Sequence, residues 1–187
     1  MTETAGSGAS RFAVSKSRLE FLVDGIFAIA MTILVLELKV PEVGDRKSVV
    51  ALGTALAHHL AGFVSYLLSF LMLGVFWFSH NRHYQHFTRI TGLMLVLTLA
   101  QLAATAFFPF SAALLGRYPT NQLTLVIYLG CVLCYQLATL LVWVAASRSG
   151  VLAPQLGEPE RRRLLKGNLG GCLGVGAIWL MHLIRIL

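Results

Sequence analysis

The sequence predicts an all-α fold, a polytopic bundle of membrane-spanning helices. Of its 187 residues, 57% are hydrophobic and only 12% are charged, and its mean hydropathy is +0.74. That charged share is about half the share usual in soluble domains. Five apolar stretches reach the length of about 20 helical residues that a bilayer crossing requires. Because lipid tolerates only helices and closed barrels, and no ten-residue alternating pattern is present, each stretch is predicted to be a helix.

The predicted spans are separated by proline and glycine, which mark turns. The second span is too long for one upright crossing, so we expect it to be strongly tilted, or broken near Gly62 or Gly74. Residues 1 to 17 are predicted to be a disordered cytoplasmic N-terminus, and residues 18 to 187 a single transmembrane domain. The spans are roughly residues 19 to 40, 49 to 79, 90 to 115, 121 to 147 and 164 to 187.

The distribution of lysine and arginine predicts the orientation. With the N-terminus inside, ten of these residues lie on the cytoplasmic side and five outside, which is the arrangement favoured by the positive-inside rule. The sequence thus predicts a multi-pass protein of the cell membrane with a cytoplasmic N-terminus. The net charge of +7 is explained by topology, so no nucleic acid is expected as a partner. Membrane lipids are expected partners, and Arg161 to Arg163 are predicted to anchor at the membrane surface.

The first span contains charged residues within or against its apolar run, and such groups indicate function because charge in hydrocarbon is costly. On a helix, Ile29, Ile33 and Leu36 fall within about 60° of one another, and Asp24 lies about 140° from Ile29. The aliphatic stripe has two interpretations. It faces lipid or a neighbouring helix, or copies of the helix surround a pore that the stripe narrows by expelling water.

Asp24 also has two interpretations, a carboxylate on a permeation path or a buried hydrogen-bond partner. The helical count turns it away from the stripe and favours the second. Arg18, six residues earlier, and Trp77 and His80, at the end of the second span, are the candidate donors. A structural network of these four residues is predicted to lock the first span against the second.

Three segments together resemble the prokaryotic branch of the transmembrane protein 175 family, the lysosomal potassium channel family. In the first segment, an arginine lies six residues before an Asp-Gly pair. Phe-Ala-Ile-Ala and a closing Leu-Glu follow. Leu22 and Val23 depart from it, because the family has Phe and Ser there. The similarity covers most of residues 16 to 118. The segments are Arg18 to Glu37, Phe76-Trp77-x-x-His80-Asn81-Arg82, and Phe108-Pro109-Phe110 with Leu114-Leu115-Gly116.

The resemblance implies a homotetrameric, potassium-permeable cation channel, potassium-selective or weakly so, with the first of six helices lining a central pore. The pore constriction of the family maps onto Ile29, Ile33 and Leu36, and Thr32 matches a polar pore-lining position. Other monovalent cations are possible permeants besides K⁺, and no enzyme activity, cofactor, catalytic residue or metal site is expected. Only five spans are visible in this chain, so either a sixth is missing or the chain is naturally short.

Two alternatives belong to other functional classes. His80, His83 and His86 are spaced at i, i+3 and i+6, and histidine clusters at a membrane face are typical of metal-dependent membrane oxidoreductases. A helix spreads the three over about 120°, and no carboxylate between Asp45 and Glu158 completes a site. The other alternative is a small proton-coupled transporter that uses Asp24.

Glycines in the last span form two overlapping GxxxG pairs, Gly167 with Gly171 and Gly170 with Gly174. Small residues at this spacing allow helices to approach closely in lipid. The spacing predicts a helix interface, either within one chain or between subunits.

Overall fold

A computed structural model describes residues 15 to 186 and contains six helices in that range. Five of them are long and apolar enough to cross a membrane, and only α2 is short. The predicted all-helical fold with five spans is therefore confirmed. The helices are α1 (Lys16–Leu36), α2 (Val49–His58), α3 (Leu60–Tyr84), α4 (Gly92–Arg117), α5 (Gln122–Arg148) and α6 (Glu158–Ile184).

The overlong second span is broken at His59. This residue ends α2 with φ −91° and ψ 3°, and its N–H bonds to Leu56 O and Ala57 O instead of continuing a regular helix. The break lies three residues before Gly62, close to one of the two predicted positions, while Gly74 lies inside an uninterrupted α3. The break thus follows from the local backbone at His59 rather than from a glycine.

The N-terminal boundary of α1 is defined by a serine cap. Ser15 Oγ accepts a hydrogen bond from Arg18 N at 3.4 Å, and serine is a favoured residue at this position. Lys16 and Ser17 form the first turn, so the helix begins two residues before the predicted boundary. The rest of the N-terminus predicted to be disordered, residues 1 to 14, lies outside the described residues.

Helix α4 packs against α1, α3 and α5, and α6 packs against α5. An aromatic cluster joins α1, α3, α4 and α5. The rings of Phe76 and Tyr135 stack with centroids 4.0 Å apart, and Phe27 and Phe108 meet this pair edge-on. Tyr135 also donates its hydroxyl to Phe76 O at 2.8 Å. The buried phenol is therefore satisfied, and the cluster holds α1 against the remainder of the bundle.

The two long helices α3 and α4 cross closely where α4 ends. A Cβ added at Gly116 would lie 3.1 Å from Gly62 Cα and 3.3 Å from Ser65 Cβ. Ser65 Oγ donates to Ala112 O at 2.7 Å across the same crossing. A side chain here would require the two backbones to move apart by a few tenths of an ångström, so glycine favours the close crossing.

The opposite end of the bundle gathers the start of α1 and the connections that follow α3 and α5. Lys16 Nζ donates to Phe87 O at 3.0 Å. Thr88 N donates to Val151 O at 2.9 Å, and Ala153 N donates to His86 O at 2.7 Å. We call this the α1-start end; Trp77 and His80 lie toward it because α3 ends there.

The glycines of α6 have two different environments. A Cβ on Gly171 would lie 3.2 Å from Gln136 Nε2 of α5, whereas nothing lies within 4 Å of a Cβ on Gly167, Gly170 or Gly174. Only part of the predicted glycine interface is therefore used within the chain.

Candidate functional site on the first helix

One face of α1 is packed into the bundle. Its five buried residues are at most 2% exposed and recur at intervals of three or four, which places them on one side of a helix. Phe27 is the largest, and its ring meets Tyr135 of α5 with centroids 6.3 Å apart. This face decides the direction of every other side chain on α1. The buried residues are Leu19, Val23, Phe27, Ala30 and Leu34.

The predicted constriction residues lie outside this packed face. Ile29 is 59% exposed, Ile33 39% and Leu36 75% in the single chain. Other apolar residues of α1 are exposed as well, among them Phe21 at 77% and Val35 at 47%. The stripe is therefore available to lipid, to another copy of the chain or to a pore.

Thr32 lies close to the middle of the exposed arc. It is about 140° round the helix from Phe27 by the 100° count, and its side chain is exposed. Thr32 Oγ1 donates its proton to Ile29 O at 2.8 Å, in a hydrogen bond within the helix. The oxygen lone pairs remain free to accept from water or to approach a cation.

Asp24 contacts one of its predicted partners. Trp77 Nε1 of α3 donates to Asp24 Oδ1 at 2.8 Å. Both side chains are exposed in the single chain, Trp77 by 41%. Asp24 is therefore a hydrogen-bond partner, but not the buried one that the sequence predicts. The pair connects α1 to α3 at the edge between the packed and exposed faces of α1.

Arg18 and His80, the other two residues of the predicted network, form no hydrogen bond or salt bridge with Asp24 among residues 15 to 186. Six residues separate Arg18 from Asp24, which is about 9 Å along the axis and 240° around it, so the two leave different faces of α1. His80 is 1% exposed and stacks on Tyr84 with ring centroids 3.9 Å apart. Their participation in a network with Asp24 stays a prediction.

The histidines near the end of α3 do not converge. His83 Nδ1 lies 2.6 Å from Ser79 O and its Nε2 lies 3.0 Å from Asn168 Nδ2, so both ring nitrogens have protein partners. Within the described part of the chain, no three His, Cys, Asp or Glu residues are placed to hold a metal ion. The histidine spacing instead supports a contact between α3 and α6.

Several residues that orient α1 are not recognisable from the sequence. Met31 Cε lies 4.0 Å from the position that a Cβ on Gly74 would occupy, and Tyr135 holds Phe27 from the fourth span. Both contacts join distant segments of the chain. A single sequence contains no signal for such pairs, although the helical period does place Phe27 and Met31 opposite the stripe.

The comparisons with known proteins identify the same region. The family model for the endosomal/lysosomal potassium channel TMEM175 matches residues 18 to 109. A potassium channel of Streptomyces collinus is 30% identical over an alignment of 168 positions that covers 85% of this chain and 80% of that protein. The zebrafish endosomal/lysosomal proton channel TMEM175 is 29% identical over 89% of this chain, which corresponds to 35% of the much longer relative.

A solved structure extends the similarity to the fold. The crystal structure of a lysosomal potassium-selective channel TMEM175 homologue from Chamaesiphon minutus superimposes with a TM-score of 0.79 and 26% identity, covering 90% of this chain and 87% of that one. These relatives are channels, and they support neither an oxidoreductase nor a transporter. This chain belongs to the TMEM175 family of potassium channels and is not an enzyme.

Proposed function

We propose that this protein is a potassium-permeable cation channel in which four copies of α1 surround a central pore. In this arrangement Ile29, Ile33 and Leu36 form the constriction and Thr32 is a polar pore-lining residue. The single observation that carries the proposal is the exposure of this stripe on a helix whose opposite face is buried. The N-terminus is cytoplasmic, and the protein resides in the cell membrane.

The composition of the exposed face supports a pore rather than lipid. It includes Arg18 and Thr32 as well as the aliphatic stripe. Charged side chains in a span are expensive in hydrocarbon and normally face protein or water. By the 100° count, Arg18 and Leu36 share one direction. The same line along α1 is thus polar near its start and apolar further along, as expected for a pore with a wide mouth and a narrow section.

The proposed mechanism is passive permeation through aliphatic rings. Rings of isoleucine and leucine oppose wetting, so the barrier depends on their radius and on how readily water enters. The Thr32 hydroxyl oxygen, whose proton is already donated to Ile29 O, can offer its lone pairs to a cation. No cofactor takes part, and the permeating species is K⁺.

The experiment is reconstitution of the purified protein in liposomes with imposed K⁺ or Na⁺ gradients and no proton gradient. We expect K⁺ flux from the wild type and a larger flux from Ile29→Ala, because a smaller ring is wider and wets more easily. Ile178→Ala is the matched control, since Ile178 is 47% exposed on α6. Its flux should equal that of the wild type. A wild type that conducts neither ion would contradict the proposal.

A second candidate, proton permeation, is favoured by the zebrafish relative, which is named a proton channel. The same liposomes loaded with a pH dye distinguish the two. Acidification on an imposed pH gradient with K⁺ flux absent would favour the proton channel. Flux of K⁺ with little acidification would favour the potassium channel.

A further inference from the structure

A small cavity lies within the α1-start half of the bundle. Its volume is about 10 Å³, measured as the space open to the centre of a water molecule. It is lined by residues of α3, α4 and α5 and by Phe87. The lining residues are His80, His83, Tyr84, Phe87, Gln101, Thr139, Val142 and Trp143.

Three of these residues, one from each helix, have polar atoms without a hydrogen-bond partner in residues 15 to 186. The atoms are both ring nitrogens of His80, Oε1 of Gln101 and Nε1 of Trp143. Each of the three residues is only 1% exposed. Buried polar atoms in native proteins are almost always bonded, to protein or to ordered water. Three such residues around one cavity therefore indicate a shared partner.

The orientation of Gln101 is determined by its neighbours. Thr139 Oγ1 donates to Tyr135 O at 2.9 Å, so this oxygen acts as the acceptor for Gln101 Nε2, which lies 2.8 Å away. The amide oxygen of Gln101 is then the acceptor left for another group. Flipping the amide would lose the bond to Thr139.

Three of the four unpaired atoms match the chemistry of one water molecule. The Trp143 indole N–H is a donor, Gln101 Oε1 is an acceptor, and neutral His80 offers one donor and one acceptor. A water molecule donates twice and accepts twice, and a buried water typically makes about three hydrogen bonds. A cavity of about 10 Å³ corresponds to the space for one such molecule.

We propose that this cavity is a hydration site whose ordered water is hydrogen-bonded to Gln101 Oε1, Trp143 Nε1 and one ring nitrogen of His80. The water joins α3, α4 and α5 at a single point. His80 is one helical turn from Trp77, so the site supports the segment of α3 that holds Asp24 of α1. This site is separate from the proposed pore and does not depend on what the channel conducts.

The three tryptophans make the site testable by solid-state NMR on the channel in lipid bilayers. With ¹⁵N-indole labels, magnetisation is transferred from water to the indole N–H groups, and Trp143→Phe identifies its signal. We expect transfer to Trp143, and loss of it in Gln101→Leu, which removes one partner of the water. Gln136→Leu is the matched amide control. The Trp179 indole, which donates to Val126 O at 2.9 Å, should be unchanged in both variants.

Two results would overturn the proposal. One is the absence of water transfer to the Trp143 indole in the wild type, which needs no variant. The other is transfer that persists at full strength in Gln101→Leu, because the water would then not be shared. If the Gln101→Leu protein does not insert into the membrane, the Gln101→Met variant, which keeps the side-chain length, is used instead.

Discussion

The indole of Trp77 donates to the carboxylate of Asp24 across a distance of 2.8 Å. Asp24 lies where the packed face of α1 meets its exposed face, so this bond and the packing of Phe27 together set the rotation of α1 against α3. That rotation determines which side chains point away from the bundle. The direction in which the Thr32 side chain points therefore depends on the bond between Trp77 and Asp24, in which Thr32 takes no part.

Replacing Trp77 by phenylalanine should alter both stability and conduction. A hydrogen bond to a charged group contributes about 1.5 to 3 kcal/mol when buried. Since this pair is partly exposed, we expect a loss below that range, seen as a lower Tm. The loss of the tether should also change the K⁺ flux, because α1 is then free to rotate. Flux in liposomes and thermal unfolding in detergent measure the two effects.

The control for this variant is Trp179→Phe, which removes an indole bond to Val126 O far from α1. We expect it to lower the Tm while leaving the flux unchanged. Equal flux from both variants and the wild type would show that the bond between Trp77 and Asp24 does not orient α1.

Truncation of Phe27 should destabilise the fold strongly. Its ring is 1% exposed and lies against Tyr135, and a cavity left by Phe→Ala costs about 3 to 5 kcal/mol in protein cores. Phe78, which is 64% exposed on α3, provides the same substitution without a cavity. Phe78→Ala should change the free energy of unfolding by less than a third as much. Similar losses in the free energy of unfolding for Phe27→Ala and Phe78→Ala would contradict the assignment of the packed face.

These two faces of α1 are the part of the site that the sequence predicts well. Helical periodicity alone separates Ile29, Ile33 and Leu36 from Phe27 and Met31, because every third or fourth residue shares a side. The five spans are predicted for an equally simple reason, since apolar length is a direct physical requirement of the bilayer. Burial in the structure agrees with the separation of the two faces, and the helix lengths agree with the five spans.

The partners of the polar residues are harder to predict. The sequence suggests donors for Asp24 but contains no distances, and of the three suggested donors only Trp77 bonds to it in the described chain. The bond between His83 and Asn168 joins residues 85 positions apart. Such contacts depend on how the helices pack. The break at His59 was placed only approximately for the same reason, because no proline or glycine marks it.

A methyl group at Gly116 should destabilise the crossing of α3 and α4. An added Cβ would meet the backbone at Gly62 Cα at 3.1 Å, and overpacking of this kind costs about 1 to 3 kcal/mol. We expect Gly116→Ala to lower the Tm. Gly170→Ala adds the same atom in open space and should leave the Tm unchanged or raise it, because alanine favours a helix. An unaffected Gly116→Ala protein would contradict the close crossing.

The contact between α3 and α6 should depend on Asn168. Ser79 O lies 2.6 Å from His83 Nδ1 and accepts its proton, so Nε2 accepts from Asn168 Nδ2 at 3.0 Å. Side-chain bonds of this type in membranes contribute about 0.6 to 2 kcal/mol. We expect Asn168→Leu to loosen α6 and to speed maleimide labelling of the buried Cys172.

Leu169→Ala is the control for this experiment, since Leu169 is adjacent to Asn168 and 40% exposed. Its labelling rate at Cys172 should match that of the wild type. If Cys172 is labelled at the wild-type rate in Asn168→Leu as well as in Leu169→Ala, the bond between His83 and Asn168 does not hold α6 in place.

The most direct test of the proposed pore is cysteine substitution along α1 with Cd²⁺ as the probe. Thiolates from four subunits would form a ring that binds this soft metal. In a background with the native cysteines replaced by serine, currents are recorded in planar bilayers before and after Cd²⁺ is added. The variants are Ile29→Cys, Ile33→Cys, Leu36→Cys and, as the control about 120° round the helix from Ile29, Val35→Cys.

We predict that micromolar Cd²⁺ blocks the K⁺ current of the three stripe variants reversibly and leaves the current of Val35→Cys unchanged. Block at Val35→Cys with no block at the three stripe positions would contradict the account, because a different face of α1 would then line the pore.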